Sequence, residues 1–329
     1  MNLLITGGTG FFGRALIKFF EAERLSTGSL PYENITVLSR SPEQFRLHYP
    51  SLAILPWIRW HAGDVLKPES LPHQNFSHIL HAAGDSTDAA ALTPLQRYRQ
   101  IATGTENILN FAVQHGTQRF LFTSSGGVYG PQPDGMEYIQ ESYNGIPDPL
   151  MVSSNHGIAK RQAEHLCTLY GEQYGLETVI ARCFAFVGED LPLNAHFAIG
   201  NFIRDALWHD SITVGGDGTP LRSYLEQRDL AHWLFCLLLH GQSGQAYNVG
   251  SDVAISVAEL AYLVRDTLAP GKSVHILGTP DPHRQRNRYI PSIEKAHTDL
   301  QLDVRIALQE AITHTAEIRS REQERLNIS

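Results

Sequence analysis

The stretch Met1-Asn-Leu-Leu-Ile-Thr-Gly-Gly-Thr-Gly-Phe-Phe-Gly13 constrains the fold more than any other part of this chain. The apolar run Asn2 to Thr6 reads as a short buried strand, and the residues from about Phe11 onward read as an amphipathic helix. Between them lie three glycines spaced Gly7-x-x-Gly10-x-x-Gly13. Strand, glycine turn and helix together make a phosphate cradle. Gly7 and Gly10 lack the Cβ atoms that would keep a pyrophosphate from the backbone, and the free N–H groups at the helix start point at it. Gly13 lets helix pack on strand. The spacing is wider than the Gly-x-Gly-x-x-Gly of most dinucleotide folds, so the strand before it and the helix after it carry the reading. Gly7, Gly10, Phe11, Phe12 and Gly13 are the expected dinucleotide contacts of this segment.

Composition narrows the rest. At 329 residues, 42% hydrophobic and 18% charged, the chain reads as an ordinary soluble globular protein with one large core or two coupled ones. A formal net charge of −8 argues against nucleic acid or an anionic membrane as its main partner, and makes any basic cluster a deliberate feature. Cys167, Cys183 and Cys236 sit in apolar stretches without Cys-x-x-Cys spacing, so no disulfide is expected and the compartment is reducing. A fold-forming strand at the start leaves no room for a signal peptide. The longest apolar run, Trp233 to Leu239, is too short to span a bilayer, so the cytoplasm is expected. The sixteen histidines show no ligand spacing such as His-Glu-x-x-His, and no metal site is expected.

Taken in order, a helix over about Phe11 to Leu25 leads to a strand over Asn34 to Leu38, which ends in Ser39-Arg40-Ser41-Pro42. In dinucleotide folds this strand end meets the adenosine ribose. An acid there suits the 2′-hydroxyl of NAD, whereas a small residue followed by Arg suits the 2′-phosphate of NADP. Ser39 and Arg40 therefore favour NADP over NAD, unless Arg40 is merely solvated. Next come a strand over Ile58 to His61, followed by Gly63-Asp64-Val65, and a strand over Ser77 to Ala83 that closes on His81-Ala82-Ala83-Gly84-Asp85. Helices over Thr93 to His115 and Ser153 to Tyr174 alternate with strands over Arg119 to Ser124 and Thr178 to Phe184. This rhythm predicts an α/β fold, a Rossmann-type doubly wound parallel sheet with helices on both faces. Ligands then sit at the carboxyl ends of the strands, where Gly7, Arg40, Asp64, Gly84, Ser125 and Ala185 fall. Residues 1–185 are read as the dinucleotide-binding domain. From 186 the elements shorten, so 186–329 reads as a smaller substrate-binding lobe with some segments returning to the sheet.

The chain resembles the extended short-chain dehydrogenase/reductase family, and within it the NAD-dependent epimerase/dehydratase type that includes nucleotide-sugar epimerases, dehydratases and reductases. The resemblance is carried by Thr6 to Gly13, Gly63-Asp64-Val65, His81-Ala82-Ala83, Gly104-Thr105, Phe122-Thr-Ser-Ser-Gly-Gly-Val-Tyr-Gly130, Lys160 with Glu164, Asn201-Phe-Ile203, Gly216-Asp-Gly218 with Arg222, Asp229-Leu230 and Tyr247-Asn-Val-Gly-Ser251. It implies that Asp64 and Val65 hold the adenine and that Ala82 and Ala83 line the dinucleotide. Ser125 takes the place of the Ser or Thr that hydrogen-bonds the sugar hydroxyl. Lys160 takes the place of the lysine that binds the nicotinamide ribose and tunes a neighbouring acid/base group.

Four residues before that lysine the family carries a catalytic tyrosine, and this chain has His156. An imidazole beside Lys160 and an oxidised nicotinamide should have a lowered pKa and stay neutral, able to act as a base. Three possibilities stay open: His156 is a substitute base, it works through a water or a displaced substrate, or the step has been lost. Two further polar contacts are missing, since Ile101 and Ala185 stand where the family usually has Asn. The 4,6-dehydratases carry an acid directly after the Ser or Thr, and here those positions are Gly126 and Gly127, so elimination is disfavoured. Asp85 is the nearest alternative carboxylate, or else a loop cap. In the substrate lobe, Asn201, Arg222 and the basic cluster His283-Arg284-Gln-Arg286-Asn-Arg288 are expected to hold a nucleoside-diphosphate sugar, guanidinium groups being suited to phosphate.

The resulting expectation is an NAD(P)-dependent nucleotide-sugar epimerase or keto-sugar reductase, forming a homodimer through the two long helices. The rival is a catalytically decayed dinucleotide-binding sensor or scaffold of the same fold. Ser125, Lys160 and Arg222 together favour the enzyme, because a pure cofactor sensor has no use for a diphosphate grip.

Overall fold

Leu3, Leu4 and Ile5 are fully buried, so the strand they form is covered on both faces, as a parallel sheet between helical layers requires. The computed structural model describes residues 1–84, 92–281, 283 and 286–328. Its first six strands are β1 (Asn2–Thr6), β2 (Asn34–Ser39), β3 (Ile58–Ala62), β4 (His78–His81), β5 (Arg119–Ser125) and β6 (Glu177–Cys183). Shorter strands follow: β7 (Phe186–Val187), β8 (Ser211–Val214), β9 (Leu221–Arg222), β10 (Leu225–Glu226), β11 (Gln245–Val249), β12 (Ile255–Ser256), β13 (Ser273–Ile276) and β14 (Arg288–Tyr289). The helices are α1 (Phe11–Thr27), α2 (Pro42–His48), α3 (Pro50–Ala53), α4 (Pro94–Gln114), α5 (Asn155–Tyr174), α6 (Ala198–Trp208), α7 (Gln227–His240), α8 (Val257–Leu268), α9 (Glu294–Leu300) and α10 (Leu308–Ile328).

Seven strands form one sheet in the order β11-β6-β5-β4-β1-β2-β3, with every neighbouring pair parallel. The strand order reverses between β1 and β4, which opens a crevice at their carboxyl ends. Alternation along β1 sends Leu3 and Ile5 into one apolar cluster and Leu4 into the other, one on each face of the sheet. Helices α1 and α7 pack together, as do α4 and α5. The first part of the chain thus has the doubly wound architecture expected of it.

Local differences have local causes. The strand expected over Ser77 to Ala83 ends at His81, because the chain then crosses over the glycine turn: Ala82 N–H donates to the Thr6 carbonyl at 3.1 Å and Ala83 N–H to the Thr6 hydroxyl at 3.2 Å. Helix α4 starts at Pro94, with Thr93 and Gln96 forming a reciprocal cap. Helix α5 starts at Asn155, since Val152–Ser154 make a 3₁₀ turn first. The later half of the chain returns to the sheet through β11, which pairs with β6. An ion cluster also ties α1 to the segment after β7: Arg14 Nε meets Asp190 at 2.9 Å and Lys18 Nζ meets it at 2.8 Å.

Candidate active site

At the crevice the glycine turn is forced by its surroundings. Gly7 has φ +72°, and a Cβ on it would lie 2.4 Å from the Ala82 carbonyl oxygen. Gly10 N–H closes the turn on the Gly7 carbonyl at 3.0 Å. A Cβ on Gly13 would come within 2.1 Å of Gly8 Cα, so Gly13 serves the packing of helix on turn and does not line the cleft. Above the turn lies a cleft of about 1150 Å³, larger than one small ligand needs. Gly7, Gly10, Phe11 and Phe12 form its floor, with Ala82 and Ala83 on one side. A backbone cradle that tolerates no Cβ at Gly7, at the N-terminus of a seventeen-residue helix, fits a dinucleotide pyrophosphate.

Beyond β2 and β3, Ser39, Arg40, Asp64 and Val65 line the same cleft. Arg40 is exposed. The Asp64 carboxylate accepts the Leu66 N–H at 3.0 Å and so shapes the turn as well as facing the cleft. Val65 is buried against Gly104, where a Cβ would come within 2.8 Å of its methyl.

Ser125 ends β5, and its hydroxyl accepts the Gly127 N–H at 3.1 Å. His156 and Lys160 stand one turn apart on α5, on the face toward the cleft. The Lys160 ammonium donates to the Thr123 carbonyl at 2.6 Å and lies 4.7 Å from the Phe122 ring centre. Burial still holds its pKa down to about 8. The consequence can be signed. Between about 8 and 10.5 the unfolded chain keeps the proton that the folded chain has released, so the cost of burying Lys160 is felt below this window and fades as pH rises through it. Dinucleotide affinity should run the other way, falling as pH rises past 8 while the ammonium is lost. In a Lys160→Met variant, affinity measured by calorimetry should be weak and flat across that range.

Burial holds His156 down to about 3, helped by the positive charges of Lys160, Arg97 and His196. The lowering expected from the sequence is present, and the imidazole is neutral at any working pH. A second buried histidine, His81, is held near 3 by burial and Lys160. It is structural, linking Thr6 at 2.7 Å to Thr105 at 3.1 Å and so tying β4 to β1 and α4. Glu164, one turn beyond Lys160, accepts the Ser124 hydroxyl at 2.5 Å and pairs with Arg182 at 2.8 Å.

From the chain after β7 come Arg222, Tyr224, Tyr289 and His196. Arg222 donates to the Leu221 carbonyl at 2.7 Å, and burial lowers its pKa. Two expected substrate contacts sit elsewhere. Asn201 does not line the cleft, and its side-chain oxygen accepts from Arg204 at 3.2 Å. Arg286 is exposed and its Nε donates to the Thr219 carbonyl at 2.5 Å, clasping the glycine loop before β9. Asp85 and Arg284 lie outside the described residues. Sequence reasoning passed over Arg97, His196, Tyr224 and Tyr289 as cleft residues; Tyr224 had a signal in its place two residues after Arg222, and Tyr289 in its place beside the basic cluster. Among the described residues no three His, Cys, Asp or Glu side chains gather to hold a metal, and no helix is long and apolar enough to cross a membrane.

A parallel sheet with a phosphate cradle at its switch point, facing a serine, a buried lysine and an arginine from the later part of the chain, defines a dinucleotide-dependent enzyme class. Residues 3–250 match the sequence profile of the NAD dependent epimerase/dehydratase family, and the chain belongs to that family, in its extended short-chain dehydrogenase/reductase form. It is 30% identical to UDP-glucuronic acid decarboxylase 6 of Arabidopsis thaliana over 315 residues, 95% of this chain and 87% of the relative. Among solved structures it is similar to the DesIV dTDP-glucose 4,6-dehydratase of Streptomyces venezuelae with NAD bound, with TM-score 0.84, 23% identity and 98% of each chain covered. It is also similar to a UDP-glucose 4-epimerase of Thermotoga maritima with UDP-glucose, with TM-score 0.81, 21% identity, and 98% of this chain and 100% of that one covered. At these identities the two structures speak for the fold.

Proposed function

We propose that the protein is an NAD(P)-dependent enzyme that oxidises a carbinol of a nucleoside-diphosphate sugar or reduces the corresponding keto sugar, and as an epimerase does both in turn. The observation that carries this reading is the convergence of the Gly7 cradle, Ser125, Lys160 and Arg222 on one cleft. In it the bound dinucleotide supplies hydride acceptance and donation. The backbone at Gly7, Gly10 and Phe11 would hold its pyrophosphate, Asp64 and Val65 its adenine, and Lys160 its nicotinamide ribose. Ser125 binds the reacting oxygen, Arg222 grips the diphosphate, and His156 lines the wall as a neutral hydrogen-bonding group. Direct elimination by an acid after Ser125 is disfavoured, since those positions are Gly126 and Gly127.

A second reading, oxidative decarboxylation of a nucleotide uronic acid, is favoured by the names of the curated relatives and by the guanidinium of Arg97 in the cleft near His156. Thermal stabilisation by a panel of UDP-, dTDP-, GDP- and CDP-sugars, with and without dinucleotide, tests both. Stabilisation by a nucleotide sugar supports the enzyme, and a preference for UDP-glucuronic acid with release of carbon dioxide selects the second reading. Stabilisation by the dinucleotide alone supports the sensor or scaffold.

For the cofactor we propose NADP over NAD through Arg40, which faces the adenosine end of the cleft. A charge-assisted contact to a 2′-phosphate is worth about 1.5–3 kcal/mol, so Arg40→Ala should weaken NADP binding about tenfold or more and NAD binding less than about threefold. Equal losses in titration calorimetry would assign Arg40 to the surface. A cytoplasmic homodimer through the outer faces of α4 and α5, where Leu95 and Leu169 are exposed, completes the proposal.

A further inference from the structure

The wall of the cleft that faces Ser125 carries a phenol. Tyr289 lies in β14, in register with Arg222 of β9. Its ring packs on Phe184 with centres 4.6 Å apart, and its hydroxyl lies 3.5 Å from the Cys183 carbonyl. Beside that hydroxyl are the Ser125 hydroxyl and the Gly127 N–H, and the residue lines the same cleft as Lys160 and His156. A Cβ on Gly126 would lie 2.7 Å from the phenol oxygen and 2.7 Å from the Phe184 ring. The position directly after Ser125 is therefore glycine because Tyr289 and Phe184 fill the space a side chain would need.

We propose that Tyr289 exchanges the proton with the reacting sugar oxygen, a role the helix position of His156 does not fill; the inference rests on the nucleotide-sugar reading above. In oxidation the carbinol O–H gives its proton to the Tyr289 phenolate, the C–H electron pair leaves as hydride to the oxidised nicotinamide dinucleotide, and a C=O bond forms. In the return direction hydride reaches the carbon and the phenol gives its proton to the carbonyl oxygen. Ser125, next to the phenol, hydrogen-bonds the same oxygen.

Opposing influences act on the phenol. Burial pushes it up to about 12 and Cys183 adds to the rise, so at rest it keeps its proton; Ser125, Arg222 and the Gly127 N–H pull the other way, as would the positive charge of an oxidised nicotinamide, which favours the phenolate when the dinucleotide is bound. His156, held near 3, would carry a proton in about one molecule in ten thousand at neutral pH, which makes it a weak acceptor.

The test compares wild type, Tyr289→Phe and His156→Gln, loaded with NADP and in parallel with NAD, and given UDP-glucose, UDP-glucuronic acid or dTDP-glucose. Tyrosinate absorbance is titrated in parallel without sugar. Tyr289→Phe should lower turnover about a hundredfold or more while NAD and sugar-nucleotide affinities change less than about threefold, and it should erase one limb of the pH profile. His156→Gln should lose less than Tyr289→Phe. The wild-type minus Tyr289→Phe titration should show one phenol whose pKa drops when NAD binds. Wild-type turnover in Tyr289→Phe, or a pH profile it leaves unchanged, overturns the proposal. A wild-type protein that binds NADP or NAD but neither binds nor turns over any of these sugars sinks the nucleotide-sugar reading; in that case a phenol unmoved by the bound dinucleotide overturns the Tyr289 assignment as well.

Discussion

Gly7→Ala is expected to abolish dinucleotide binding, with affinity falling by a hundredfold or more while the far-ultraviolet circular dichroism is kept. Two effects add at this position. An L-residue at φ +72° costs on the order of 1 kcal/mol, and the new methyl would lie 2.4 Å from the Ala82 carbonyl oxygen. Relief requires moving β4's exit away from the turn, which spreads the cradle that must meet the pyrophosphate. Gly28 supplies the control. It has φ +79° at the end of α1, but a Cβ there meets nothing within 4 Å. Gly28→Ala should carry the backbone cost alone, about 1 kcal/mol by denaturant unfolding, with dinucleotide affinity unchanged. Similar binding losses in both variants would show that strain anywhere along α1 is enough, and that the approach of Gly7 to Ala82 has no special part.

Arg182→Met should destabilise the protein by about 3 kcal/mol, the largest effect expected of a residue outside the cleft. Its Nε and Nη2 both reach the Glu164 carboxylate, at 3.0 and 2.8 Å, and Nη1 donates to the Tyr129 hydroxyl at 2.9 Å. Glu164 is only 7% exposed, so removing the guanidinium leaves a buried carboxylate with the Ser124 hydroxyl as its remaining donor among these contacts. Glu164→Gln with Arg182→Met removes both charges and should lose less than Arg182→Met alone, since the unpaired buried charge is the main cost. A double variant no more stable than the single one would place the cost in lost packing on Tyr129, whose ring centre is 4.8 Å from the guanidinium carbon. Because Glu164 also fixes Ser124, next to Ser125, the single variant links stability to the site.

The elements that could be read from the sequence are those whose signals are local. β1, the glycine turn and α1 stand where the residue pattern placed them, since strand, φ-positive glycine and helix start follow each other within thirteen residues. The parallel order followed from alternation of apolar strands with long helices. Cleft residues at strand ends, among them Ser125, and the α5 pair His156 and Lys160, were likewise legible because sheet topology fixes where strand ends go. What escaped depends on contacts between distant parts of the chain. Tyr289 reaches Ser125 only because β14 pairs with β9, next to a stretch that in sequence reads as a basic cluster for the sugar nucleotide. The same stretch misled the reading of Arg286, whose charge is spent on the Thr219 carbonyl. Asn201 matched a motif, but α6 turns it toward Arg204 and away from the cleft lining. Lys160 read as a ribose ligand; that it is also a buried cation held by a carbonyl and an aromatic face needs the fold.

The most direct measurement mixes the NAD- or NADP-loaded protein with UDP-glucose, UDP-glucuronic acid and dTDP-glucose and follows the absorbance of the reduced nicotinamide in a single turnover. Hydride transfer at a sugar carbon predicts a reduced-nicotinamide signal with at least one of these sugars, and its loss in Ser125→Ala. Tight dinucleotide binding with no signal from any of them would contradict the account and leave a cofactor-binding protein without sugar chemistry.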